Sequence, residues 1–366
     1  MPQPDLVAMV GGRGVEALEE ARRTLQICNA CRYCEGYCAV FPSMIRRREF
    51  PDADVIHLAN LCHGCRDCFH ACQYAPPHDF GVNVPRALAA VRLDSYRASA
   101  AAPDMLFSRP LVFAGILLVT MTAVTEGIRR WLGGDPGARG FYAVLGRDAM
   151  IAFGLIVAGF AAIGLVLSMM RYLRLTHGPG AKRVSLASWW LAVRNAVSLR
   201  YLGGNGVGCN DTDESFGQRR RVYHHLMAGG FLSCFAATSA GAFYDHVLGR
   251  VAPYPLLSVP GILGSMGGLA IIAGTLGLLR LKAIEAPEPT LAAMTALDRA
   301  MLMLLLTVAL SGLLLRAIDE GPALAGLTVF HLASVAALLL ALPFGKFIHA
   351  PLRLLALGRD AQEAQS

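Results

Sequence analysis

The chain has 366 residues, of which 55% are hydrophobic and 16% charged, and its formal net charge is +7 at pH 7. The charge is uneven, because residues 1–108 hold 11 Lys+Arg against 12 Asp+Glu, whereas the remainder holds 22 against 14. Nucleic-acid binding needs a basic face on a soluble domain, and the near-neutral polar part of this chain excludes it.

Eight of the ten cysteines form two matching runs, and each cysteine of the second run lies 34 residues after its counterpart. Both runs read C-x2-C-x2-C-x3-C, the spacing with which bacterial ferredoxins bind cubane [4Fe–4S] clusters. The runs are Cys28, Cys31, Cys34 and Cys38, then Cys62, Cys65, Cys68 and Cys72. In two-cluster ferredoxins the last cysteine of each run binds the other cluster. By that analogy Cys72 completes the first cluster site and Cys38 the second.

Zinc and disulfides are the competing interpretations of these cysteines. A zinc site takes four ligands, usually as two separated pairs rather than two runs of four. Disulfides need an oxidising compartment, and we expect no secretory signal, because the first twenty residues lack a basic segment followed by an apolar one. The proline that usually follows the fourth cysteine is absent, since Ala39 and Gln73 stand there. The spacing still favours clusters.

The segment around the cysteines predicts a small all-α module. We expect helices at 15–27, 46–60 and 84–96, the first of them amphipathic. Eight thiolates already satisfy two cubes, so hydrogen-bonding or solvated roles are expected for the four nearby histidines, His57, His63, His70 and His78.

After residue 108 the chain contains six long apolar stretches. We predict spanning helices at about 109–128, 148–171, 224–245, 256–279, 299–318 and 323–346, since crossing a bilayer takes about 20 apolar residues. Six such lengths in one chain argue against the buried helices of a soluble protein. The predicted domains are a cytoplasmic two-cluster module, 1–108, and a membrane domain, 109–366. The predicted fold class is therefore mainly α, an all-α ferredoxin-like module followed by a six-helix transmembrane bundle.

Lys and Arg in the connections predict the orientation. The loop 172–223 and the preceding Arg171 hold nine basic residues, whereas residues 319–324 hold none. The first connection argues the other way with four arginines. The balance predicts a multi-pass protein of the bacterial inner membrane with both termini in the cytoplasm.

Five histidines of the membrane domain are candidate haem ligands. Ionisable residues at membrane depth are costly and usually functional, and two imidazoles from facing helices can hold a b-type haem. The third and sixth spans are antiparallel, so His224 or His225 can face His349 near the cytoplasmic side, and His246 can approach His331. The alternative is that all of these except His331 are interfacial residues with hydrated side chains.

The segment FHLASVAALLLALPFGKFIHAP (330–351) resembles the last helix of the nitrate reductase gamma-subunit family, whose members are dihaem quinol-interacting cytochromes. Two ligand histidines are 18 residues apart in that helix, as His331 and His349 are here. The other ligand helix of that family carries its histidines ten residues apart, where this chain has Cys234 and Phe235. The resemblance implies one haem and leaves the second in doubt.

A second resemblance extends over nearly the whole chain. The order of a two-cluster module, YLGGNGVGCND (201–211), RRRVYHHLMAGGFLSCFAATSAGAFYDH (219–246) and six spans resembles the tricarballylate utilisation protein B family (TcuB, also called CitB). The resemblance implies that the chain reoxidises the FADH2 of a separate tricarballylate dehydrogenase and passes the electrons to the membrane quinone pool. The same architecture forms the C-terminal half of a flavin-containing protein of aerobic cobalamin synthesis.

No substrate-converting site is apparent in the sequence. The glycine-rich stretch 203–208 follows no credible strand and opens no βαβ unit, so a flavin has to be brought by a partner. We expect an electron-transfer protein in which a FAD-containing dehydrogenase delivers electrons to two [4Fe–4S] clusters, and haem b passes them to quinone. The alternatives are an electron-transfer subunit for a flavin-dependent monooxygenase of cobalamin synthesis and a heterodisulfide-reductase-like respiratory module. Structural roles are expected for the lone cysteines Cys209 and Cys234.

Overall fold

The computed structural model describes residues 12–102, 104–177, 183–202, 208–318 and 320–365. Within these ranges the chain is almost entirely helical, with one two-stranded antiparallel ribbon. The predicted fold class is confirmed: the chain is mainly α, and six helices are long and apolar enough to cross a membrane. The first eleven residues and most of the glycine-rich stretch, 203–207, lie outside the described residues.

Five helices build the N-terminal module around a continuous apolar core. Their bounds are α1 Gly12–Cys31, α2 Val40–Ile45, α3 Asp52–Leu61, α4 Asp67–His70 and α5 Val84–Ala100. The helix predicted at 46–60 begins only at Asp52, because Pro51 disfavours a helical conformation of the residue before it. Helix α5 begins where expected, since the Asn83 side chain accepts a hydrogen bond from the backbone N–H of Arg86 at 3.2 Å.

A short helix, α6 (Asp104–Ser108), leads into the membrane domain. The six candidate spans are α7 Pro110–Leu132, α8 Arg147–Thr176, α10 Arg219–His246, α11 Val259–Ile284, α12 Ala292–Ala317 and α13 Ala323–Ala341, the last continued to Phe344 by a 3₁₀ turn. Between α8 and α10 lies a further helix, α9 (Leu186–Val197), within the segment that the sequence assigns to a basic loop. A second 3₁₀ turn, Lys346–Ile348, precedes the last helix, α14 (His349–Glu363).

Helices α10 and α11 pack closely through glycine. A Cβ atom at Gly230 would lie 2.6 Å from the carbonyl oxygen of Gly267, and one at Gly274 would lie 2.5 Å from the backbone nitrogen of Met227. Small residues let the backbones of membrane helices approach in this way. This contact sets the rotation of α10 and therefore the direction of the histidines in its first turns.

Two elements join the N-terminal module to the membrane domain. The ribbon of β1 (Cys209–Asn210) and β2 (Phe216–Gly217) docks on the second cysteine run, where the Asn210 N–H donates to the Cys65 carbonyl at 3.1 Å. Helix α14 leaves the membrane domain and packs against α3 and α9. Its Glu363 accepts from Arg47 at 2.7 Å. The N-terminal module therefore meets the rest of the chain at the second cysteine run and at α3.

Candidate metal and haem centres

The first cysteine set lines a surface cavity of about 280 Å³. The cysteines that line the cavity are Cys28, Cys31 and Cys34 of the first run, together with Cys68 and Cys72 of the second. Burial, and then the neighbouring Cys72, raises the pKa of Cys28 and of Cys34 to about 12. Several thiols gathered in a partly buried site resist ionisation unless a cation joins them, so this donor set suits iron.

The second cysteine set consists of Cys38 with Cys62, Cys65 and Cys68, and it lies deeper at Cys62 and Cys65, which are buried. Burial, and then Cys62, raises the pKa of Cys38 to about 12. The pKa of Cys68 is raised well above its ordinary value by burial, and next by Cys65 and Cys38. Cys72 is thus close enough to Cys28 and Cys34 to raise their pKa values, and Cys62 is close enough to Cys38 to do the same. The crossed ligand set itself stays a prediction.

Positive backbone angles wind the second run into a tight loop. Gly64 and Arg66 have φ values of 65° and 71°, and Arg32 of the first run has a φ of 57°. Such left-handed residues turn the chain sharply, which lets cysteines three residues apart face one centre.

Among the described residues, no three His, Cys, Asp or Glu side chains lie close enough together to hold a single metal ion. A cubane cluster does not need that arrangement, because each thiolate binds a different iron at its own corner. A zinc site draws four ligands around one ion.

Buried ion pairs anchor the second run to the membrane domain. The Arg66 guanidinium pairs with Glu285 in the loop between α11 and α12, and their side chains are only 4% and 5% exposed. The Glu285 carboxylate also accepts from the Thr295 hydroxyl at 2.7 Å. Arg220 at the start of α10 donates to the Gly64 carbonyl at 2.7 Å. The loop that carries Cys62, Cys65 and Cys68 is therefore held against the ends of three spans.

One of the predicted histidine pairs is present. The rings of His224 and His349 have centres 6.3 Å apart and planes at 89°. Two imidazoles bound to one iron have ring centres roughly 6 Å apart, since a metal–imidazole bond is about 2 Å long. The structure separates His224 from its neighbour, because His225 is exposed and its Nε2 lies 3.1 Å from the Val197 carbonyl.

The nitrogen atoms of this pair are suited to metal binding. The Nδ1–H of His349 donates to the Lys346 carbonyl at 2.6 Å, which leaves Nε2 as the ligand atom. Burial, and then the charge of Lys346, holds the pKa of His349 well below its ordinary value, so its ring is neutral, as a ligand must be. The buried Nδ1 of His224 has no hydrogen-bond partner. The histidine pair therefore fits the axial ligands of a b-type haem.

The other two candidate histidines make different contacts. His246 is the last residue of α10, and its Nδ1 lies 3.3 Å from the guanidinium of Arg147, the first residue of α8. The Nδ1 of His331 lies 2.9 Å from the Ser311 hydroxyl on α12. None of the ring contacts in the described part of the chain joins His246 to His331, so their pairing in a second haem stays a prediction.

Sequence reasoning missed the position of His63. This residue follows Cys62 directly, and its ring lies 6.0 Å from that of Tyr201. Burial, and then Arg353, holds the pKa of His63 well below its ordinary value, and His224 is close enough to contribute. His63 thus lies between the second cysteine set and the histidine pair. Only its place next to a cysteine distinguished it in the sequence from His70 and His78.

The fold and these sites define a class, a membrane protein with a ferredoxin-like module and an electron-transfer role. Residues 21–98 match the family model described as the Fer4-like domain of citrate utilization protein B, and residues 97–366 match that of citrate utilization protein B. The chain belongs to the citrate utilization protein B family. A relative from Escherichia coli, citrate utilization protein B, is 41% identical over 349 residues, which cover 90% of this chain and 88% of the relative. No solved structure matches the chain.

Proposed function

We propose that this chain carries electrons from the reduced FAD of a partner dehydrogenase, through two [4Fe–4S] clusters and haem b, to the membrane quinone. The observation that carries the proposal is the order of three sites between the surface and the membrane. The first cysteine set borders a surface cavity, Cys62 and Cys65 of the second set are buried, and the histidine pair lies at the ends of the spans.

The first cysteine set suits the entry of electrons. Cys28, Cys34 and Cys72 are only partly buried, whereas Cys62 and Cys65 of the second set are buried. The exposed ring of Tyr33 lines the cavity of the first set, and a flavoprotein can approach there. The deeper site is shielded from solvent, which favours transfer onward over loss to oxidants in the cytoplasm.

Helix α14 connects the second cysteine set to the histidine pair. It begins at His349, and one turn later Arg353 donates to the carbonyl of Cys62. Arg92 of α5 donates to the same carbonyl. One rigid helix thus carries a candidate haem ligand and holds the backbone of a candidate cluster ligand. Clusters and haem bound at these sites would exchange single electrons, which splits the electron pair of a reduced flavin.

The partner is inferred from the family. The Escherichia coli relative is named for citrate utilization. A dehydrogenase that oxidises a tricarboxylate such as tricarballylate is therefore the proposed source of reduced FAD. The histidine pair and the second cysteine run lie at the same ends of the spans. Together with the basic residues of segment 172–223, this supports a bacterial inner-membrane protein with both termini in the cytoplasm.

The test uses full-length protein purified anaerobically from membranes. We expect about eight irons per chain, matching acid-labile sulfide, and a haem b band in the reduced-minus-oxidised spectrum. His224→Leu and His349→Leu should each abolish the haem band and leave the iron content unchanged. His225→Leu is the matched control, because it removes the adjacent imidazole that faces Val197.

Two results would overturn the proposal. Iron far below eight per chain without labile sulfide would remove the clusters. Haem retained in both His224→Leu and His349→Leu would remove the histidine pair. Mixing the wild-type protein with reduced flavin and then with decylubiquinone tests the direction of flow, and the cluster absorbance should bleach and then recover.

A further inference from the structure

We infer that Arg92 and Arg353 set the reduction potential of the cluster at the second cysteine set and hold it above that of the first. This inference rests on the proposed function and concerns the direction in which electrons pass between the two clusters. Arg92 lies on α5 and Arg353 on α14, so the two side chains come from distant parts of the chain. They meet at one atom, because both guanidinium groups donate to the carbonyl oxygen of Cys62.

The depth of the second site opposes this direction of flow. Cys62 and Cys65 are buried, whereas Cys28, Cys34 and Cys72 at the first site are only partly buried. A cluster held by four thiolates is anionic, and each electron that it accepts adds a negative charge. Burial disfavours added charge. Depth alone would therefore make the second cluster the harder of the two to reduce, and electrons would stay at the surface.

Two cations lie where they can reverse this effect. The Arg92 side chain is only 6% exposed, and Arg353 is half-buried. All the hydrogen bonds that the two guanidinium groups donate within the described ranges go to backbone carbonyls, those of Ala59, Asn60 and Cys62. A carbonyl is a dipole without net charge, so both positive charges act in full on an anion bound at the adjacent cysteines.

The other charges near the second run are already paired. Arg66 and Arg220, which also contact this run, each form an ion pair with a carboxylate. Asp298 lies near enough to Arg92 and Arg353 to interact with their charges. Its two oxygens, however, pair with two lysine ammonium groups at 2.7 Å each. The carboxylate of Asp298 therefore does not neutralise the two arginines.

The charge of Arg92 also acts on the sulfur of Cys62. Burial acts to lower the pKa of Arg92, but the Cys62 thiolate, followed by Tyr96, outweighs it and raises that pKa above its ordinary value. Positive charge and hydrogen bonds beside the ligand sulfurs stabilise the reduced state of a cluster. The interaction is strong because the site is shielded from water. Arg92 is thus placed to raise the potential of the cluster that Cys62 binds.

The first site has a cation of a different kind. Arg32 lines its cavity, but the side chain is exposed, so water and salt screen its charge. The buried Asp67 affects both sites alike. Burial is the main cause that raises the pKa of Cys34 and of Cys65, and the Asp67 carboxylate adds to it at both. The two arginines at Cys62 therefore favour an electron at the second site, beside the histidine pair.

A purely structural role is the competing explanation. The carbonyls of Ala59, Asn60 and Cys62 lie at the C-terminal end of α3, where cations are favourable because of the helix dipole. Capping of this kind stabilises the fold and requires no effect on a potential. The two roles are therefore separated by measuring the potential itself.

The experiment is a redox titration of the full-length holoprotein, purified anaerobically and followed by electron paramagnetic resonance. The signal that is missing from Cys65→Ala identifies the second cluster. In the wild type its midpoint potential should lie above that of the first cluster. Arg92→Gln and Arg353→Gln should each lower it by at least a tenfold change in the reduction equilibrium, which is about 59 mV for one electron. The potential of the first cluster should stay unchanged.

Two further variants separate charge from structure. Arg92→Lys keeps the positive charge but loses the planar fork of donors, so it should retain most of the wild-type potential. Arg86→Gln is the matched control, because Arg86 is an exposed cation on the same helix, and it should change neither potential. A potential that falls as far in Arg92→Lys as in Arg92→Gln would refute an effect of charge.

An unchanged potential of the second cluster in both glutamine variants would overturn the inference, since the arginines would then only cap α3. A shift confined to the haem would do the same, because it would place their effect at the histidine pair. A second cluster with a lower potential than the first in the wild type would also overturn it, and this measurement needs no arginine variant to fold. Wild-type protein without clusters would instead overturn the proposed function, so the two failures are distinguishable.

Discussion

The ion pair between Arg66 and Glu285 allows a quantitative prediction about how the second cysteine run is held. Both side chains are nearly inaccessible to solvent, at 4% and 5% exposure. Removing one partner of a buried pair costs about 3–5 kcal/mol, because the other charge is left unpaired. The Arg66 guanidinium keeps its bond to the Asp211 carbonyl at 2.8 Å in Glu285→Ala. We therefore expect the lower end of this range, about 3 kcal/mol.

The assay is the rate at which the purified protein loses its clusters on mild heating, followed by visible absorbance. Each 1.4 kcal/mol corresponds to about a tenfold change. We assume that the Arg66–Glu285 pair is broken in the rate-limiting step of cluster release. Glu285→Ala should then release the cluster of the second run roughly a hundredfold faster than the wild type. Glu288→Ala is the matched control, because Glu288 lies in the same loop with an exposed side chain.

The contribution of this pair should also depend on pH. Burial acts to raise the pKa of Glu285, but the charges of Lys282 and Arg66 outweigh it and hold that pKa below its ordinary value. The stabilisation is therefore fully present above the unfolded pKa of about 4.3 and is lost as pH falls through the folded value. The difference between wild type and Glu285→Ala should be constant at neutral pH and shrink below about pH 4.3. Cluster loss within about threefold of wild type at neutral pH would refute the reasoning.

Three further predictions test the sites and the packing. Cys38→Ser should abolish the electron paramagnetic resonance signal of the second run's cluster and Cys72→Ser that of the first, and the reverse assignment would contradict the crossed ligand set. Gly230→Val should lower the yield of haem-loaded protein, because a Cβ there would lie 2.6 Å from a carbonyl oxygen of α11. Gly229→Val is the control and should not lower the yield, because a Cβ at Gly229 would meet nothing within 4 Å. Equal yields would show that the helices do not pack this closely. Trp190 on α9 is 72% exposed and should lie at the lipid interface. Brominated lipids should therefore quench its fluorescence, which is identified as the part of the signal missing from Trp190→Phe. An unquenched signal would place α9 away from the bilayer.

Several features could be predicted because they are local in the chain. Cysteines three residues apart are close whatever the rest of the fold does, so the runs at Cys28 and Cys62 indicated two sites directly. Apolar length depends on composition alone, and six spanning helices follow from it. The helix predicted at 46–60 was wrong in its start, because Pro51 disfavours a helical conformation of the residue before it and the helix begins only at Asp52.

The sequence by itself determined the chemistry available, namely eight thiolates in two runs and five imidazoles in or beside apolar stretches. It left His224 and His225 equivalent as partners of His349, because both begin the same span. Only the tertiary structure distinguished them, since the glycine contact between α10 and α11 rotates His224 toward His349 and His225 toward Val197. The Lys346–Asp298–Lys282 ion pairs could not be predicted either, because their members come from three different elements of the fold. Rotation about a helix axis and contacts between distant segments depend on packing, and no local pattern of residues encodes them.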